Sequence, residues 1–453
     1  MNRERGYELI EATISICPKC LERVDAKIIK KDNSIYILKF CNKHGEQLEI
    51  LEEDAEYYLK RNEYTKPGTI SKTQTIRNKG CPFDCGLCEE HDQHTCIGLI
   101  EITKNCDLNC PVCYAKSGEK EFLDLKKIGE MMDFYQDSEF NEAEILQISG
   151  GEPTTHPKII EIIKMARDKK FKYVMLNTNG LRIASDEGFA KELGNFKGKF
   201  EVYLQFDGFN KKVHEHFRGR DLSIIKLKAI ENLTKYEIPI TLVVTVEKGI
   251  NENEIEKIIE FGLNNACIRG INFQPICFSG RLKNSNTENR ITITGILNEI
   301  EKQMKGKILK TDFIPLPCNV DRVAINYMFR SGKEFIPLVR FIDIKKYIPI
   351  INNTFNFDAD DIINKFKKNP FCCGCSCMNF LNDIRKVIPK GFDNSSRDKK
   401  IRHVNENTFR ISVTSFVDAY NFDIKSMKKE CVHIITPDLK KIPFSAYNML
   451  HRK

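Results

Sequence analysis

The chain has 453 residues with a formal net charge of +8, and it is 41% hydrophobic and 30% charged. This is the balance of a globular protein with one large domain or two to three smaller ones. No apolar stretch reaches the roughly 18 residues of a membrane helix, and no apolar segment follows the basic residues near the N-terminus. The sequence therefore predicts neither a membrane span nor a signal peptide, and we expect a cytoplasmic protein.

Two features of the composition bear on partners and metals. The charges are interspersed, which is typical of a solvated basic surface; a surface that attracts anionic lipid headgroups or nucleic acid is the alternative. The 18 cysteines lie mostly in tight groups. In a cytosolic protein such groups indicate metal binding rather than disulfides.

Residues 1–65 form the first predicted unit, a small metal-binding ribbon. An alternating, strand-like stretch from Ile35 to Phe40 separates two short groups of metal-ligand residues, Cys17 with Cys20 and Cys41 with His44. The spacing fits zinc or a rubredoxin-like mononuclear iron. A reduced cysteine module without metal is the alternative.

Residues 66–97 contain a second cysteine group. It consists of Cys81, Cys85, Cys88 and Cys96, with His91 and His94 nearby. Four thiolates would close a 4Fe–4S cluster completely, which suits electron transfer or a structural role. A four-cysteine zinc site is the alternative.

Residues 98–308 alternate between strand and helix patterns. The predicted strands are 98–103, 145–149, 172–176, 201–206, 240–246 and 270–275, and the predicted helices lie near 124–137, 156–169, 185–194, 222–236 and 252–264. Such alternation predicts parallel strands with right-handed crossovers. Six units are too few for a closed eight-stranded barrel, so we expect an α/β fold with a partial (β/α)6 barrel. Its active site should lie at the carboxyl ends of the strands.

The central motif follows the first of these strands. Cys106, Cys110 and Cys113 form a CxxxCxxC sequence, which supplies three thiolates to a cluster of four irons. One iron then has an open position, as a catalytic three-ligand zinc has. The amino and carboxylate groups of S-adenosylmethionine can bind there, and one electron from the cluster can break a C–S bond. A structural metal knuckle is the alternative for the motif alone.

Polar residues follow the next three strands. They are the candidate cofactor-binding residues: Gly150, Gly151, Glu152, Asn177, Asn179 and Asp207, together with Tyr114 beside the third cysteine. The glycines allow close backbone approach to a ligand, Glu152 can accept hydrogen bonds from an ammonium group, and the asparagine segment offers amides to ribose hydroxyls. In order and spacing these features resemble the radical S-adenosylmethionine (SAM) superfamily over residues 98 to about 280. Val112 departs from the aromatic residue that many members have before the third cysteine.

Residues 309–453 are predicted to form a C-terminal auxiliary region. Cys373, Cys375 and Cys377, beside Cys372, indicate ligands of a further cluster, with Cys318 and Cys431 as remote partners. Cys267 and Cys277 flank the sixth strand, and we expect them in the core, because isolated cysteines are usually buried there.

Several segments resemble one subgroup, the tetraether lipid synthases of archaea and their bacterial homologues, a group also described as dihydropterin methyltransferases. The resemblance lies in Cys17–Leu21, Gly80–Cys88, His94–Glu101, Phe273–Phe278 and Cys431–His433 with Ile442–Phe444. It implies a radical-SAM cluster, auxiliary 4Fe–4S clusters and a mononuclear N-terminal metal. Asn319 and Ser445 stand where the subgroup tends to have cysteine.

The resemblance favours hydrogen abstraction from an unactivated carbon by a 5′-deoxyadenosyl radical, followed by C–C coupling of lipid alkyl chains. An apolar tunnel lined by Phe329–Phe366 would suit such chains, although core packing explains those residues equally well. The alternative is a radical methyltransferase or oxidoreductase that acts on a pterin, peptide or other small molecule. A non-catalytic iron–sulfur carrier would need no open iron.

We expect a lipid or other small-molecule substrate and a low-potential electron donor such as ferredoxin or flavodoxin. Peripheral contact with a membrane is left open. Nucleic acid is not expected as a partner, because the cysteine units lack concentrated Lys, Arg and aromatic residues. No catalytic side chain is assigned.

Overall fold

A computed structural model of the chain describes residues 6–115, 117–283, 286–331, 334–348, 404 and 406–452. The N-terminal unit is a four-stranded antiparallel sheet with the strands in chain order. Its strands are β1 (Glu8–Ile16), β2 (Arg23–Lys31), β3 (Ser34–Cys41) and β4 (Gly45–Glu52), followed by helix α1 (Ala55–Lys60). The alternation noted from Ile35 to Phe40 forms β3, in which Ile35, Ile37 and Lys39 are buried.

Six parallel strands form the centre of the molecule and pair in sequence order. They are β5 (Ile97–Glu101), β6 (Ile145–Ser149), β7 (Tyr173–Thr178), β8 (Phe200–Gln205), β9 (Ile240–Val246) and β10 (Ile268–Pro275). These are the six strands predicted from the sequence. Most of their side chains are buried, as expected for parallel strands covered by helices.

The helices of this partial (β/α)6 barrel lie between the strands. They are α2 (Leu125–Ser138), α3 (Ile159–Asp168), α4 (Leu181–Ser185), α5 (Glu187–Leu193), α6 (Lys211–Arg218), α7 (Ser223–Lys235), α8 (Ile255–Asn264) and α9 (Ile293–Gln303). In α3 one apolar face is buried, with Ile159, Ile162 and Ala166 at 0–1% exposure. Helices α4, α6 and α9 were not predicted; α4 and α6 are short, and α9 lies beyond the last predicted strand.

Strands from the C-terminal region extend the central sheet at both ends. Near β10 lie β11 (Ile314–Leu316), β12 (Asn319–Ser331), β13 (Glu334–Pro337) and β14 (Thr408–Thr414), and near β5 lie β15 (Val432–Ile435) and β16 (Lys441–Pro443). Strand β14 runs parallel to β10, and β15 runs parallel to β5. Two short helices, α10 (Ile424–Lys428) and α11 (Phe444–Ala446), accompany them. The described strands after residue 309 thus belong to the same sheet as the central strands.

Buried polar contacts attach the N-terminal ribbon to the rest of the molecule. The Lys39 ammonium donates to the carbonyl oxygens of Ile16 at 3.0 Å, Ala419 at 2.8 Å and Tyr420 at 2.7 Å. Burial lowers the pKa of Lys39 to about 8. Arg290 binds a ribbon carboxylate, that of Glu49, at 2.7 Å. The ribbon therefore shares a polar interface with the strand-end loops of the core.

Within the described residues, no helix is long and apolar enough to cross a membrane.

Candidate functional site

The CxxxCxxC loop lies at the carboxyl end of the central sheet and borders a cavity of about 190 Å³. Cys106, Cys110 and Cys113 line this cavity. The predicted cofactor-binding residues that share the lining are Gly150, Gly151, Glu152, Asn177, Asn179 and Tyr114. Because the carboxyl ends of parallel strands meet at one edge, residues distant in sequence surround one space.

The two glycines after β6 are required by the protein's own packing. A Cβ on Gly150, whose φ is +144°, would lie 2.4 Å from the Thr103 carbonyl oxygen, and one on Gly151 would lie 2.3 Å from that of Asn105. Side chains at either position would displace the segment that leads into the cysteine loop. They thus bring this strand end against the cysteine loop, and because both also line the cavity, close approach of a ligand to them stays a prediction.

The Glu152 carboxylate is engaged by the protein itself. It accepts hydrogen bonds from the Thr178 hydroxyl at 2.7 Å and the Asn179 amide at 2.7 Å, and also from Thr154. Burial raises the pKa of Glu152, and these hydrogen bonds oppose the rise. Glu152 borders the cavity, but its described hydrogen bonds join the ends of β6 and β7.

Asp207 does not line the cavity and is fully buried behind it. Its two oxygens accept hydrogen bonds from the Arg218 guanidinium, both at 2.7 Å. Asp207 therefore positions Arg218 and, in contrast to the prediction, does not face the cavity. Burial raises the pKa of Asp207, but the nearby guanidinium lowers it more, so the pKa lies below its ordinary value. Arg218, which the sequence analysis missed, lines the cavity and lies near Cys110.

The loop after β10 holds the cysteine loop from the other side. Arg281 donates to the carbonyl oxygens of Cys110 at 2.6 Å and Ser117 at 2.8 Å. A Cβ on Gly280, whose φ is +60°, would lie 2.3 Å from the Cys113 carbonyl oxygen. Cys277, expected in the core, is buried but lines the cavity as well. No sequence signal marked Arg281, because it acts on backbone atoms of a distant loop.

The cofactors implied by this loop are a 4Fe–4S cluster and SAM, and the residues fit them. Three thiols without a fourth cysteine in the same motif can hold three irons of a cubane. The Leu108 amide lies 3.4 Å from the Cys106 sulfur, where it can stabilise a thiolate. Arg218 adds a positive charge beside the thiols, and the adjoining strand ends supply amides and carbonyls to a nucleoside.

The N-terminal ribbon brings its predicted metal ligands together. The ligand atoms of Cys17, Cys20, Cys41 and His44 lie within 4.8 Å of one another. Burial raises the pKa of Cys17, but hydrogen bonds from Gln47 and from backbone amides lower it more, to about 6. A thiol that ionises readily suits metal binding.

Cys96 belongs to a different set from the predicted one. The Cys96 sulfur lies 3.7 Å from the Cys318 sulfur, and the Cys318 sulfur lies 3.8 Å from the Cys431 sulfur. All three residues are buried, and their sulfurs lie within 4.8 Å of one another. The parallel pairing of β15 with β5 is the reason, because it places the Cys96 amide 2.8 Å from the Cys431 carbonyl. His94 adds an imidazole nitrogen 3.9 Å from the Cys96 sulfur.

The remaining members of the second cysteine group stay together. Cys81, Cys85 and Cys88 line a cavity of about 20 Å³ with His91 and Lys428. Burial raises the pKa of Cys81 to about 12, and the positive charge of Lys428 opposes this rise only in part. Cys373, Cys375 and Cys377 lie outside the described residues.

A second cavity of about 240 Å³ adjoins the first. The residues that line both cavities are Leu99, Tyr114, Asn177, Gln205, Arg218, Thr245 and Phe444. The polar residues of the second cavity are mostly amides and hydroxyls: Gln147, Tyr203, Asn272, Gln274, Ser412 and Thr414, with Arg410. This cavity is a candidate substrate site beside the cysteine loop.

Comparison with known proteins agrees with this geometry. Residues 100–262 match the family model of the radical SAM superfamily, and residues 9–61 match the model described as the HMPTM N-terminal zinc ribbon domain. A 7,8-dihydro-6-hydroxymethylpterin dimethyltransferase of Methanocaldococcus jannaschii is 35% identical over 97% of this chain and 94% of its own length. A probable GTP 3′,8-cyclase of Pyrococcus abyssi is 31% identical over 53% of this chain and 71% of its own length.

Among solved structures, Streptococcus suis SuiB bound to precursor peptide SuiA aligns with a TM-score of 0.41 and 12% identity. The alignment covers 66% of this chain and 69% of that one. The full-length match to the Methanocaldococcus protein and the matched superfamily model decide the assignment: the chain belongs to the radical SAM superfamily, in the family of that dihydropterin dimethyltransferase.

Proposed function

We propose that this radical SAM enzyme methylates a small polar heterocycle of the pterin class. The observation that carries the proposal is the set of amide and hydroxyl side chains in the cavity next to the cysteine loop, whose lining also includes aliphatic and aromatic residues. Such a lining suits a ligand with several hydrogen-bonding groups, because unpaired buried polar groups are costly. The 35% identical relative, whose name describes a pterin dimethyltransferase, supports the same substrate class.

Cys106, Cys110 and Cys113 would hold the cluster, and SAM would occupy the adjoining 190 Å³ cavity. When bound, this pair supplies one-electron cleavage of the sulfonium to a 5′-deoxyadenosyl radical, which abstracts hydrogen. Arg218, held by Asp207, would donate a hydrogen bond to the carboxylate of SAM where the two cavities meet. Tyr114, Phe416 and Phe444, whose ring centroids lie 4.4–6.3 Å apart, would exclude water from the reacting carbon.

The overall reaction balances with two molecules of SAM and two electrons. One substrate hydrogen passes to 5′-deoxyadenosine with release of methionine, and the second SAM gives its methyl group and leaves S-adenosylhomocysteine. A low-potential donor, such as a reduced ferredoxin or flavodoxin, would supply the electrons. The auxiliary thiol sets around Cys88 and Cys318 are candidates for iron–sulfur clusters that pass electrons.

Coupling of lipid alkyl chains, the reaction favoured by the resemblance, has less support. No described residue between Phe329 and Ile348 lines either cavity, and Phe329 is buried in the protein core. The part of the predicted tunnel segment beyond Ile348 lies outside the described residues.

The test is product analysis with the anaerobically reconstituted enzyme. With methyl-labelled SAM, a low-potential reductant and 7,8-dihydro-6-hydroxymethylpterin, we expect a pterin that carries a labelled methyl group, detected by mass spectrometry. The control is the variant with Cys106, Cys110 and Cys113 replaced by alanine, which should form neither this product nor 5′-deoxyadenosine. Unmodified pterin, with cross-linked chains from an added lipid extract, would contradict the proposal and favour lipid coupling.

A further inference from the structure

We propose that Asn272 sets the hydrogen-bond polarity of the substrate cavity, so that the cavity selects a neutral heterocycle with a lactam edge. In such an edge a carbonyl acceptor lies beside N–H donors. The inference rests on the proposed function, because it assigns the 240 Å³ cavity to the substrate. It adds the specificity-determining residues and the charge of the group that they recognise.

Asn272 lies on β10 and is nearly fully buried. Its side-chain oxygen accepts hydrogen bonds from the hydroxyls of Ser412 and Thr414, both at 2.9 Å, on the neighbouring strand β14. Its side-chain NH2 donates to the phenolic oxygen of Tyr203 on β8. One amide side chain therefore orients three hydroxyl groups of the cavity wall.

The direction of these bonds decides what each hydroxyl can offer a ligand. Ser412 and Thr414 each use their hydrogen on Asn272, so they present only lone pairs and act as acceptors. Tyr203 accepts from Asn272 and also from Gln274, at 3.4 Å, which leaves its hydrogen without an acceptor among the described residues. The wall thus presents one phenolic donor and two hydroxyl acceptors.

Charge balance points to a neutral ligand. Arg218 and Arg410 are the charged residues in the described lining of this cavity. Arg218 is paired with Asp207 at 2.7 Å, and Arg410 lies 3.8 Å from the Glu201 carboxylate. A phosphate chain would meet no uncompensated cation among the described lining residues, and its burial would be unfavourable. Arg410 still has N–H groups that can donate to a carbonyl.

The 2-amino-4-oxo edge of a pterin matches this wall. It has one acceptor, the 4-oxo group, and two donors, N3–H and the 2-amino group. In a 2,4-diaminopteridine a 4-amino donor replaces the carbonyl and N3 becomes an acceptor. Two buried hydrogen bonds would then join donor to donor or acceptor to acceptor, which is a costly mismatch.

The experiment measures binding without turnover. The reconstituted enzyme with SAM is titrated with 6-hydroxymethylpterin or 2,4-diamino-6-hydroxymethylpteridine, and ligand fluorescence is followed. We expect the lactam to bind about 10-fold or more tightly than the diamino compound. Tyr203→Phe, which removes the donor, should weaken lactam binding and lower the ratio, because the mismatch at the 4-position is lost and the one at N3 remains. Asn272→Asp, whose second oxygen would draw the Tyr203 hydrogen to itself, should do the same.

The matched control is Tyr236→Phe. Tyr236 follows α7 outside both cavity linings, and its hydroxyl donates to the exposed Glu187 at 2.7 Å, so this variant should retain the wild-type ratio. Formation of 5′-deoxyadenosine without substrate shows that each variant is folded and loaded. Equal binding of the two compounds, or an unchanged ratio in Tyr203→Phe, would overturn the inference and leave pterin methylation standing. Binding of neither compound would overturn both the inference and the substrate class.

Discussion

Replacement of Glu52 by glutamine should stabilise the protein above neutral pH. Glu52 ends β4 of the ribbon and is buried against the start of α9. Its carboxylate accepts hydrogen bonds from the Thr294 amide at 3.0 Å and hydroxyl at 2.7 Å. Burial raises the pKa of Glu52 to about 7, against the opposing effect of these bonds.

The sign follows from the raised pKa. The folded protein holds the Glu52 proton more tightly than the unfolded chain, so stability is highest below about pH 4.5 and falls as the pH rises through about 7. The difference between the two pKa values corresponds to about 3 kcal/mol at most. Glutamine keeps an acceptor oxygen for Thr294 without the buried charge.

Urea unfolding followed by circular dichroism at pH 5 and pH 8 measures the effect. We expect Glu52→Gln to be more stable than wild type at pH 8 by roughly 1–3 kcal/mol, with little difference at pH 5. Glu56→Gln, on an exposed side chain of α1, is the control and should leave the pH dependence unchanged. Equal or lower stability of Glu52→Gln at pH 8 would refute the reasoning.

Three further predictions concern the metal and cofactor sites. Cys96→Ser and Cys318→Ser should each lower the iron content of the reconstituted protein by the same amount, and the double variant should lose no more iron than either, because the two sulfurs lie 3.7 Å apart. Cys88→Ser should lower the iron content separately, and additive iron loss in the Cys96→Ser, Cys318→Ser double variant would contradict the grouping. Asp207→Asn should lower 5′-deoxyadenosine formation about 10-fold or more at unchanged iron content, because a buried guanidinium loses its counter-charge; an unchanged rate would show that this ion pair does not position the cofactor. Gly151→Ala should prevent loading of the radical-SAM cluster, measured by iron content, because its Cβ would lie 2.3 Å from the carbonyl oxygen of Asn105, just before the cysteine loop. Normal iron content would contradict this prediction.

The parts of the fold that local patterns encode were predictable from the sequence. The six central strands follow from runs of apolar residues, and the apolar face of α3 follows from the spacing of Ile159, Ile162 and Ile163. The CxxxCxxC motif and the ribbon ligands are also local, because their spacing within a few residues determines their chemistry.

Features that depend on pairing between distant segments were not predictable. Cys96 is adjacent in sequence to the Cys81–Cys88 group, but the parallel register of β5 with β15 places it beside Cys431. Ser412 and Thr414 carry no motif and enter the cavity only because β14 pairs with β10. Arg218 ends an amphipathic helix that is too short to recognise, and its role depends on the carboxylate of Asp207 in the loop before that helix.

The closure of the sheet by its last strands has a consequence for biosynthesis. On the ribosome, β5 emerges more than 300 residues before β15, so one edge of the central sheet stays unpaired while the residues between them are synthesised. The thiols of Cys96, Cys318 and Cys431 can meet only after Cys431 has left the exit tunnel. A metal held by all three thiols must therefore be inserted late, whereas the ribbon, whose ligands all precede α1, can receive its metal much earlier in synthesis.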